Sequence, residues 1–348
     1  MFWTNHYLSF KNILILKLKY AKIIRVSSLL FLRRIIMKNV YFNHDGNIDD
    51  LTSLLLLLQV PDIRLIGVGV TDADCFVEPA AEASRKMIDR FNTHHQDVEV
   101  ALSNSRPKHP FPKEWRLSSY AFNSFPILNE KGTIKTPQAA KPAHLDMVDK
   151  IMAQNEKTTL IMTGPLSDLA RALEIEPRIQ DKIEKLYWMG GCLDGHGNVL
   201  EPSYDGTAEW NAFWDPEAVK TVWDSSLDIQ MVGLESTEEL PLNVQLRDHW
   251  ASLRKYPAMD LIGQGYALVL NYEANSVYYL WDVLTTISSL YPETIKTKKV
   301  KSDVMVGGPA DGRTYPTDDG REITLVTKAH ENRFYEIMDQ LAESAKFE

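Results

Sequence analysis

The chain has 348 residues, of which 44% are hydrophobic and 24% are charged, with 17 glycines and 17 prolines. This composition excludes a disordered chain, a collagen-like repeat and a disulfide-stapled scaffold, and α/β folds commonly reach this length as one domain. Residues 37–348 carry a net charge of −16, which repels a phosphate backbone and therefore argues against nucleic acid as a partner.

The N-terminal extension, residues 1–36, is apolar and basic. It contains seven lysines and arginines and no acidic residue. It lacks the roughly 18 consecutive uncharged apolar residues of a membrane span, so we expect no stable membrane insertion. The extension is a targeting peptide, a surface-binding amphipathic segment or sequence upstream of a start at Met37. We favour the last of these and expect one domain over residues 37–348.

From residue 40 onward, short apolar runs alternate with longer amphipathic or leucine-rich stretches. This alternation predicts an α/β fold with a mostly parallel central sheet flanked by helices and a Rossmann-like core. The predicted strands are residues 40–42, 63–70, 98–102, 159–162, 186–189 and 229–234. The predicted helices are residues 51–58, 78–91, 144–154, 166–175, 216–223 and 283–290.

Polar residues cluster just after the predicted strands, where open parallel sheets place their ligand crevice. A proline-rich, aromatic stretch, residues 106–126, predicts a long loop over one end of the sheet. Cys75 and Cys192 stand far apart and form no CxxC pattern. We therefore expect two reduced thiols, a reducing compartment such as the cytoplasm, and no zinc site.

The loop after the first strand is the densest chemical feature, because Asp45, Asp49 and Asp50 fall within six residues. Three carboxylates at the end of a buried strand repel one another unless a cation is present. Oxygen ligands favour Ca²⁺ or Mg²⁺ over a thiophilic metal. The competing interpretation is that Asp49 and Asp50 cap the following helix, whose dipole favours acids. The spacing does not match an EF-hand.

The same loop is similar to the D-x-D-G loop of haloacid-dehalogenase-type phosphotransferases. In that family the first aspartate is the nucleophile. Here the position is Asn43, which cannot form an aspartyl phosphate, so we reject this interpretation.

Eight motifs occur in the order seen in nucleoside hydrolases. They are H-D-G-N-x-D-D (44–50), T-D-A-D-C-F (71–76), F-P-K-E-W-R (111–116), T-G-P-L-S (163–167), M-G-G (189–191), G-N-V (197–199), D-G-T-A-E-W-N (205–211) with D-P-E-A (215–218), and Y-Y-x-W-D (278–282). The chain resembles the purine-specific branch of that family, which prefers inosine, adenosine and guanosine. The likeness runs from Met37 to about the C-terminus.

The resemblance implies a Ca²⁺ site formed by Asp45, Asp50, the backbone carbonyl of Thr163 and Asp282. It also implies that Asp45 acts as general base on a metal-bound water. The reaction would be hydrolysis of the N-glycosidic bond of a purine ribonucleoside to ribose and free base. Alternatively, Asp282 only begins the helix over residues 283–290, and Thr163 is an ordinary turn residue.

The resemblance also implicates a ribose subsite formed by Asp49, Asn198, Glu209 and Asn211, with Asn47 nearby. Ribose hydroxyls need buried polar partners, and such sites discriminate strongly against analogues that lack them. Glu209 and Asn211 share one face if that stretch is extended. Otherwise they belong to a polar loop before the next helix.

For the base, the candidates are Trp115 and Trp281 as stacking partners and Asp74 as a polar contact. Relatives that accept pyrimidines place a histidine immediately before the last metal aspartate, where this chain has Trp281. Core packing is the competing role for both tryptophans. His44 lies in the aspartate-rich loop, and we expect it to be structural.

Two alternatives to a purine-specific enzyme stay open. One is a hydrolase of broader specificity that accepts inosine and uridine. The other is a non-catalytic nucleoside-binding protein, although no metal aspartate is lost. Most members of the family have aspartate at the positions of Asn43 and Glu235. We therefore expect the contacts that support the metal ligands to differ from those in other members. Relatives are homodimers or homotetramers, which predicts a homo-oligomer by analogy alone.

Overall fold

The computed structural model describes residues 37–269 and 278–347, so the predictions about the N-terminal extension lie outside the described residues. The strands are β1 (Lys38–His44), β2 (Ile63–Val70), β3 (Val100–Leu102), β4 (Thr158–Met162), β5 (Ile183–Met189), β6 (Ile229–Val232), β7 (Ile295–Val304), β8 (Thr314–Pro316) and β9 (Arg321–Ala329). The helices are α1 (Ile48–Leu57), α2 (Val77–Phe91), α3 (Lys113–Arg116), α4 (Ser118–Asn123), α5 (Pro126–Asn129), α6 (Ala143–Met152), α7 (Ser167–Ile175), α8 (Ile179–Lys182), α9 (Trp210–Trp214), α10 (Pro216–Trp223), α11 (Leu234–Thr237), α12 (Val244–Ser252), α13 (Pro257–Ala267), α14 (Trp281–Leu290) and α15 (Glu331–Ser344), with a 3₁₀ turn at Pro292–Thr294.

The strands of the described residues form one sheet of nine in the order β3-β2-β1-β4-β5-β6-β9-β7-β8. Every pair from β3 to β9 is parallel, whereas β7 pairs antiparallel with both β9 and β8. The strand order reverses between β1 and β4, and ligands bind at such switch points in open α/β sheets. The sheet therefore places its crevice at the carboxyl ends of β1 and β4.

Helices cover both faces of the sheet because successive strand residues point to opposite sides. In β1, Val40 and Phe42 join the larger apolar core with α1, α2, α13, α14 and α15, whereas Tyr41 joins a second core with α6, α7 and α10. All three residues are fully buried. This arrangement confirms the predicted single-domain α/β fold with a mostly parallel central sheet.

Several predicted elements differ from the structure. The predicted loop over residues 106–126 contains α3 and α4 and ends where α5 begins, so the prediction of a plain loop is wrong. The antiparallel β7 was not predicted, because its KTKKVK stretch is mostly exposed and lacks an apolar run. In the part of the chain that the structure describes, no helix is long and apolar enough to cross a membrane.

Candidate active site

The aspartate-rich loop forms a tight turn between β1 and α1. The side chain of Asn47 caps α1 by accepting a hydrogen bond from the amide of Ile48 at 2.7 Å, and Asp50 Oδ2 accepts one from the amide of Asn47 at 2.9 Å. Gly46 has φ +95°, and a Cβ there would lie 2.3 Å from the Cβ of Ala80, so only glycine fits. Asp50 thus takes part in the cap of α1, a role that is compatible with metal binding.

Three carboxylates converge beside this turn. Oxygen atoms of Asp49, Asp50 and Asp282, all buried, lie within 4.8 Å of one another. Thr163 Oγ1 donates a hydrogen bond to Asp50 Oδ1 at 2.6 Å, and Tyr278 OH donates to Asp49 Oδ1 at 3.1 Å. This group, which we call the aspartate cluster, combines two of the predicted metal ligands with Asp49, which we had predicted for the ribose subsite.

Asp45 lies next to the aspartate cluster and is also buried. Its Oδ2 accepts a hydrogen bond from the amide of Asp74 at 3.1 Å, and its carboxylate contacts that of Asp50. A Cβ at Gly164 would lie 3.1 Å from the Cβ of Asp45. The loops after β1, β2 and β4 therefore meet at Asp45, as the switch-point argument requires.

The carboxylates of the site have no lysine or arginine partner among the described residues. Burial, and after it the neighbouring Asp50, raises the pKa of Asp45 and of Asp49, while burial and then Asp49 raise the pKa of Asp282. Among the described residues, no lysine or arginine forms an ion pair with these carboxylates, and nearby Arg116 pairs with Asp72 instead. Buried carboxylates without a counter-charge favour a cation held by oxygen ligands.

We expect the metal-free protein to lose stability as pH rises. Burial raises the pKa of Asp74 to about 6 and that of Glu209 to about 7. Acids whose pKa is raised by folding stabilise the fold fully below their unfolded pKa of about 4, and this contribution is lost as pH rises through the folded pKa. The melting temperature of chelator-treated protein should therefore fall between about pH 4 and 7, and Ca²⁺ should reduce the fall. Equal melting temperatures of the metal-free protein across this pH range would contradict the raised pKa values of Asp74 and Glu209.

Three of the predicted ribose residues, Asn198, Glu209 and Asn211, lie at the start of α9 or contact it. The carboxylate of Glu209 accepts hydrogen bonds from the amides of Gly191, Asn211 and Ala212 at 2.7, 2.9 and 3.2 Å. Because Glu209 caps the helix that Trp210 begins, residues 209–211 are not extended, and the condition for Glu209 and Asn211 to share one strand face is not met. Asn198 Oδ1 accepts from the amide of Trp210 at 3.1 Å.

Asn211 connects this helix to the predicted metal site. Its Nδ2 donates to the carbonyl oxygens of Thr163 at 3.1 Å and Met189 at 3.2 Å. The carbonyl of Thr163 is the predicted backbone ligand. Asn211 therefore positions that carbonyl, a supporting contact that local sequence spacing does not reveal.

The predicted base-binding residues contact different neighbours. Asn47 Nδ2 donates to Asp74 Oδ2 at 2.5 Å, while Asp74 Oδ1 is buried without a partner. Trp115 packs edge-on against Trp210 at 5.4 Å, and Trp281 packs edge-on against Tyr278 at 4.6 Å. No ring contact of the described residues joins the two tryptophans, so a sandwich around a base stays a prediction.

Other expected residues have mainly structural roles. His44 is buried, stacks on Phe42 and lies 3.2 Å from the hydroxyl of Ser84, and burial lowers its pKa to about 4. Cys75 and Cys192 are buried free thiols. Tyr278 also belongs to the site, through its hydrogen bond to Asp49, although the sequence predicts no role for it. Its place in the Y-Y-x-W-D motif, four residues before Asp282, is the signal that identifies it.

Comparison with known proteins is consistent with this geometry. Residues 40–336 match the family model described as inosine-uridine preferring nucleoside hydrolase. The chain therefore belongs to the nucleoside hydrolase family, as its motif order predicted.

Relatives of different specificity resemble this chain. A crystal structure of an inosine-uridine preferring nucleoside hydrolase from Bacillus anthracis superimposes with a TM-score of 0.85 and 49% identity, covering 88% of this chain and 100% of that one. A pyrimidine-specific ribonucleoside hydrolase from Escherichia coli (strain SE11) is 31% identical, covering 80% of this chain and 86% of the relative. An inosine-uridine preferring nucleoside hydrolase from Leishmania major is 26% identical, covering 78% and 84%.

Proposed function

We propose that this protein hydrolyses the N-glycosidic bond of ribonucleosides to ribose and free base, that it requires Ca²⁺, and that it prefers purine nucleosides. The observation that carries the proposal is the aspartate cluster, which is buried and has no lysine or arginine partner among the described residues, with Asp45 beside it at the switch point of the sheet. A non-catalytic binding protein has no need for a complete set of such carboxylates.

The donor set fits Ca²⁺, which takes six to eight oxygen ligands in flexible geometry. Asp45, Asp50, Asp282 and the carbonyl of Thr163 would hold the ion. When bound, Ca²⁺ supplies positive charge that makes a nearby water more acidic and orients hydroxyl groups of the substrate. Since Thr163 Oγ1 and Asn211 Nδ2 already hold Asp50 and the Thr163 carbonyl, part of the ligand set is pre-organised.

In the proposed reaction, Asp45 takes the proton of the attacking water. Its hydrogen bond from the amide of Asp74 fixes the direction of the carboxylate, and a positioned base of this kind accelerates proton transfer. Asp49, held by Tyr278, accepts from a ribose hydroxyl. Carboxylates near the anomeric carbon also stabilise the oxocarbenium-like transition state of glycoside hydrolysis.

Departure of the base is where purine preference arises. The surroundings of Trp281 are aromatic and apolar, with Tyr278, Met189, Cys192 and Leu234 in contact with it or in its cluster. The residue immediately before Asp282 is Trp281 and not a histidine. Stacking contributes about 1–3 kcal/mol per base in other base-binding sites. Contact that raises the basicity of a purine ring nitrogen lets solvent protonate it, and a one-ring pyrimidine has no equivalent nitrogen.

Replacing either tryptophan should therefore reduce the preference for purines. We expect Trp115→Ala and Trp281→Ala each to lower the ratio of kcat/KM for inosine to that for uridine by about 5- to 100-fold, the equivalent of one stacking contact. Ribose release from both nucleosides measures the ratio. Leu117→Ala is the matched control, because Leu117 lies two residues from Trp115 but is 49% exposed.

The second candidate is a hydrolase of broader specificity, and the relatives favour it. The similar B. anthracis protein is described as inosine-uridine preferring, and the E. coli relative as pyrimidine-specific. If wild-type protein cleaves uridine as fast as inosine, or if both tryptophan variants keep the wild-type ratio while folded, this second candidate is correct. The cytoplasmic location and the homo-oligomer stay predictions.

A further inference from the structure

One buried carboxylate outside the proposed machinery, that of Asp168, accepts four side-chain hydrogen bonds. Ser103 Oγ and Ser105 Oγ donate to its Oδ1 at 2.7 and 2.9 Å. Asn43 Nδ2 and Thr71 Oγ1 each donate to its Oδ2 at 3.2 Å. Asp168 is 0% exposed and makes no ion pair with a described lysine or arginine. The four donors therefore replace the hydration that a buried carboxylate loses.

The donors come from the carboxyl ends of three adjacent strands. Asn43 is the next-to-last residue of β1, Thr71 directly follows β2, and Ser103 directly follows β3. Asp168 itself lies in the first turn of α7, after the turn that follows β4. A single side chain thus connects four consecutive strand ends, β3, β2, β1 and β4, in the order in which they lie in the sheet.

Each connected segment leads along the chain to a residue of the proposed site. Asp45 follows Asn43, Asp74 follows Thr71, and Thr163 precedes Asp168 within one turn-and-helix segment. The segment after Ser103 and Ser105 leads to Trp115. A shift of any one strand end would therefore move a metal ligand, the general base or a base contact relative to the others.

The side-chain amide of Asn43 is closely packed at its contact with Asp168. A Cβ at Gly69 would lie 2.5 Å from Asn43 Nδ2, so the amide packs directly against the bare backbone of β2. Thr71 Oγ1 also lies 3.3 Å from Asn43 Oδ1. Because the Thr71 hydroxyl has a single proton, Asp168 Oδ2 and Asn43 Oδ1 share it, while Asn43 Nδ2 donates to Asp168.

We propose that Asp168 is a positioning residue for nucleoside hydrolysis: its carboxylate holds the strand ends that carry Asp45, Asp74, Trp115 and Thr163 in one arrangement. This inference rests on the proposed function. Asp168 contacts neither substrate nor metal in this scheme, and it acts through the loops. A misplacement of about 1 Å in reacting groups costs about 10²-fold in rate.

Exchanging the amide of Asn43 and the carboxylate of Asp168 between the two positions tests the proposal. Asp168→Asn alone removes the charge that the four donors surround. Asn43→Asp alone brings two carboxylates together at the present 3.2 Å contact, where they repel. The double variant Asn43→Asp/Asp168→Asn restores one amide and one carboxylate, reverses the hydrogen bond between them and leaves an amide oxygen to accept from both serines.

The experiment compares wild type, the two single variants and the double variant in kcat and KM for inosine, in Ca²⁺ affinity by calorimetry, and in thermal unfolding. We expect each single variant to lower kcat about 10- to 100-fold and to weaken Ca²⁺ binding, with a smaller change in KM. The double variant should recover to within about threefold of wild type, because the two positions are coupled.

Asp89→Asn is the matched control. Asp89 also accepts three hydrogen bonds, from the amides of Lys135 and Thr136 and from the hydroxyl of Thr136, but it connects no strand end of the site. This variant should lower the melting temperature while kcat and Ca²⁺ affinity stay at wild-type values.

The inference is overturned if folded Asp168→Asn protein keeps wild-type kcat and Ca²⁺ affinity, or if the double variant is at least as impaired as the worse single variant. Should Asp168→Asn fail to fold, Ser103→Ala and Ser105→Ala, which each remove one donor, must lower kcat in folded protein, and full activity in both overturns it. If wild type cleaves no nucleoside, the proposed function fails. The Ca²⁺ titrations of the same variants then still decide the role of Asp168.

Discussion

Asp45→Asn is expected to lower kcat for nucleoside hydrolysis by about 10²–10⁴-fold or more while KM changes little. The asparagine side chain keeps the shape of aspartate and can still accept the hydrogen bond from the amide of Asp74, but it cannot take a proton from water. The loss therefore appears in turnover and not in substrate binding. Steady-state ribose release at saturating Ca²⁺ measures it.

Asp72→Asn is the control for this experiment. Asp72 lies in the loop after β2, near Asp74, but its carboxylate pairs with Arg116 outside the aspartate cluster. This variant should keep kcat close to wild type. Near-normal turnover of folded Asp45→Asn protein would remove Asp45 from the mechanism.

Losing a residue that merely supports a metal ligand usually weakens metal binding by about 10–100-fold. Asp282→Asn changes a proposed ligand itself, so we expect it to weaken Ca²⁺ binding by more than this. Asp282 lies in the first turn of α14 and is within 4.8 Å of the carboxylates of Asp49 and Asp50. Neutralising it removes one of the negative charges that attract the ion. Calorimetric titration of chelator-treated protein with Ca²⁺ gives the affinity.

Asp215→Asn is the matched control for Asp282→Asn. Asp215 caps α10 by accepting from the amide of Ala218 at 3.1 Å, so it is also an aspartate at the start of a helix. Its replacement should reduce stability and leave Ca²⁺ affinity unchanged. Unchanged Ca²⁺ affinity in Asp282→Asn would show that the ion, if bound, lies elsewhere.

The predicted fold was most accurate where local sequence and tertiary burial agree. Residues 63–70 and 216–223 form β2 and α10 with the predicted bounds, because one is a continuous apolar β-rich run and the other a proline-started amphipathic helix. Lysine-rich β7 could not be predicted from an apolar pattern, since its pairing with β9 is set by the antiparallel edge of the sheet.

Some residues of the candidate site can be found from local sequence, and others are brought together only by the fold. Asp45, Asp49 and Asp50 could be found because they are adjacent in the sequence, whereas Asp282 required the order of motifs along the whole chain. Asp168 was not predicted as part of any network. Its four donors lie on separate strand ends, and only the parallel sheet brings them together.

The central claim is that the aspartate cluster holds a cation required for hydrolysis of ribonucleosides. The most direct measurement is release of ribose and free base from inosine, adenosine, guanosine and uridine by purified protein, before chelation, after chelation and after Ca²⁺ is returned. We predict equimolar ribose and base from purine nucleosides, loss of activity on chelation, and recovery with Ca²⁺. Full activity after exhaustive chelation with no metal bound, or no release from any of the four nucleosides in the presence of Ca²⁺, would contradict this account.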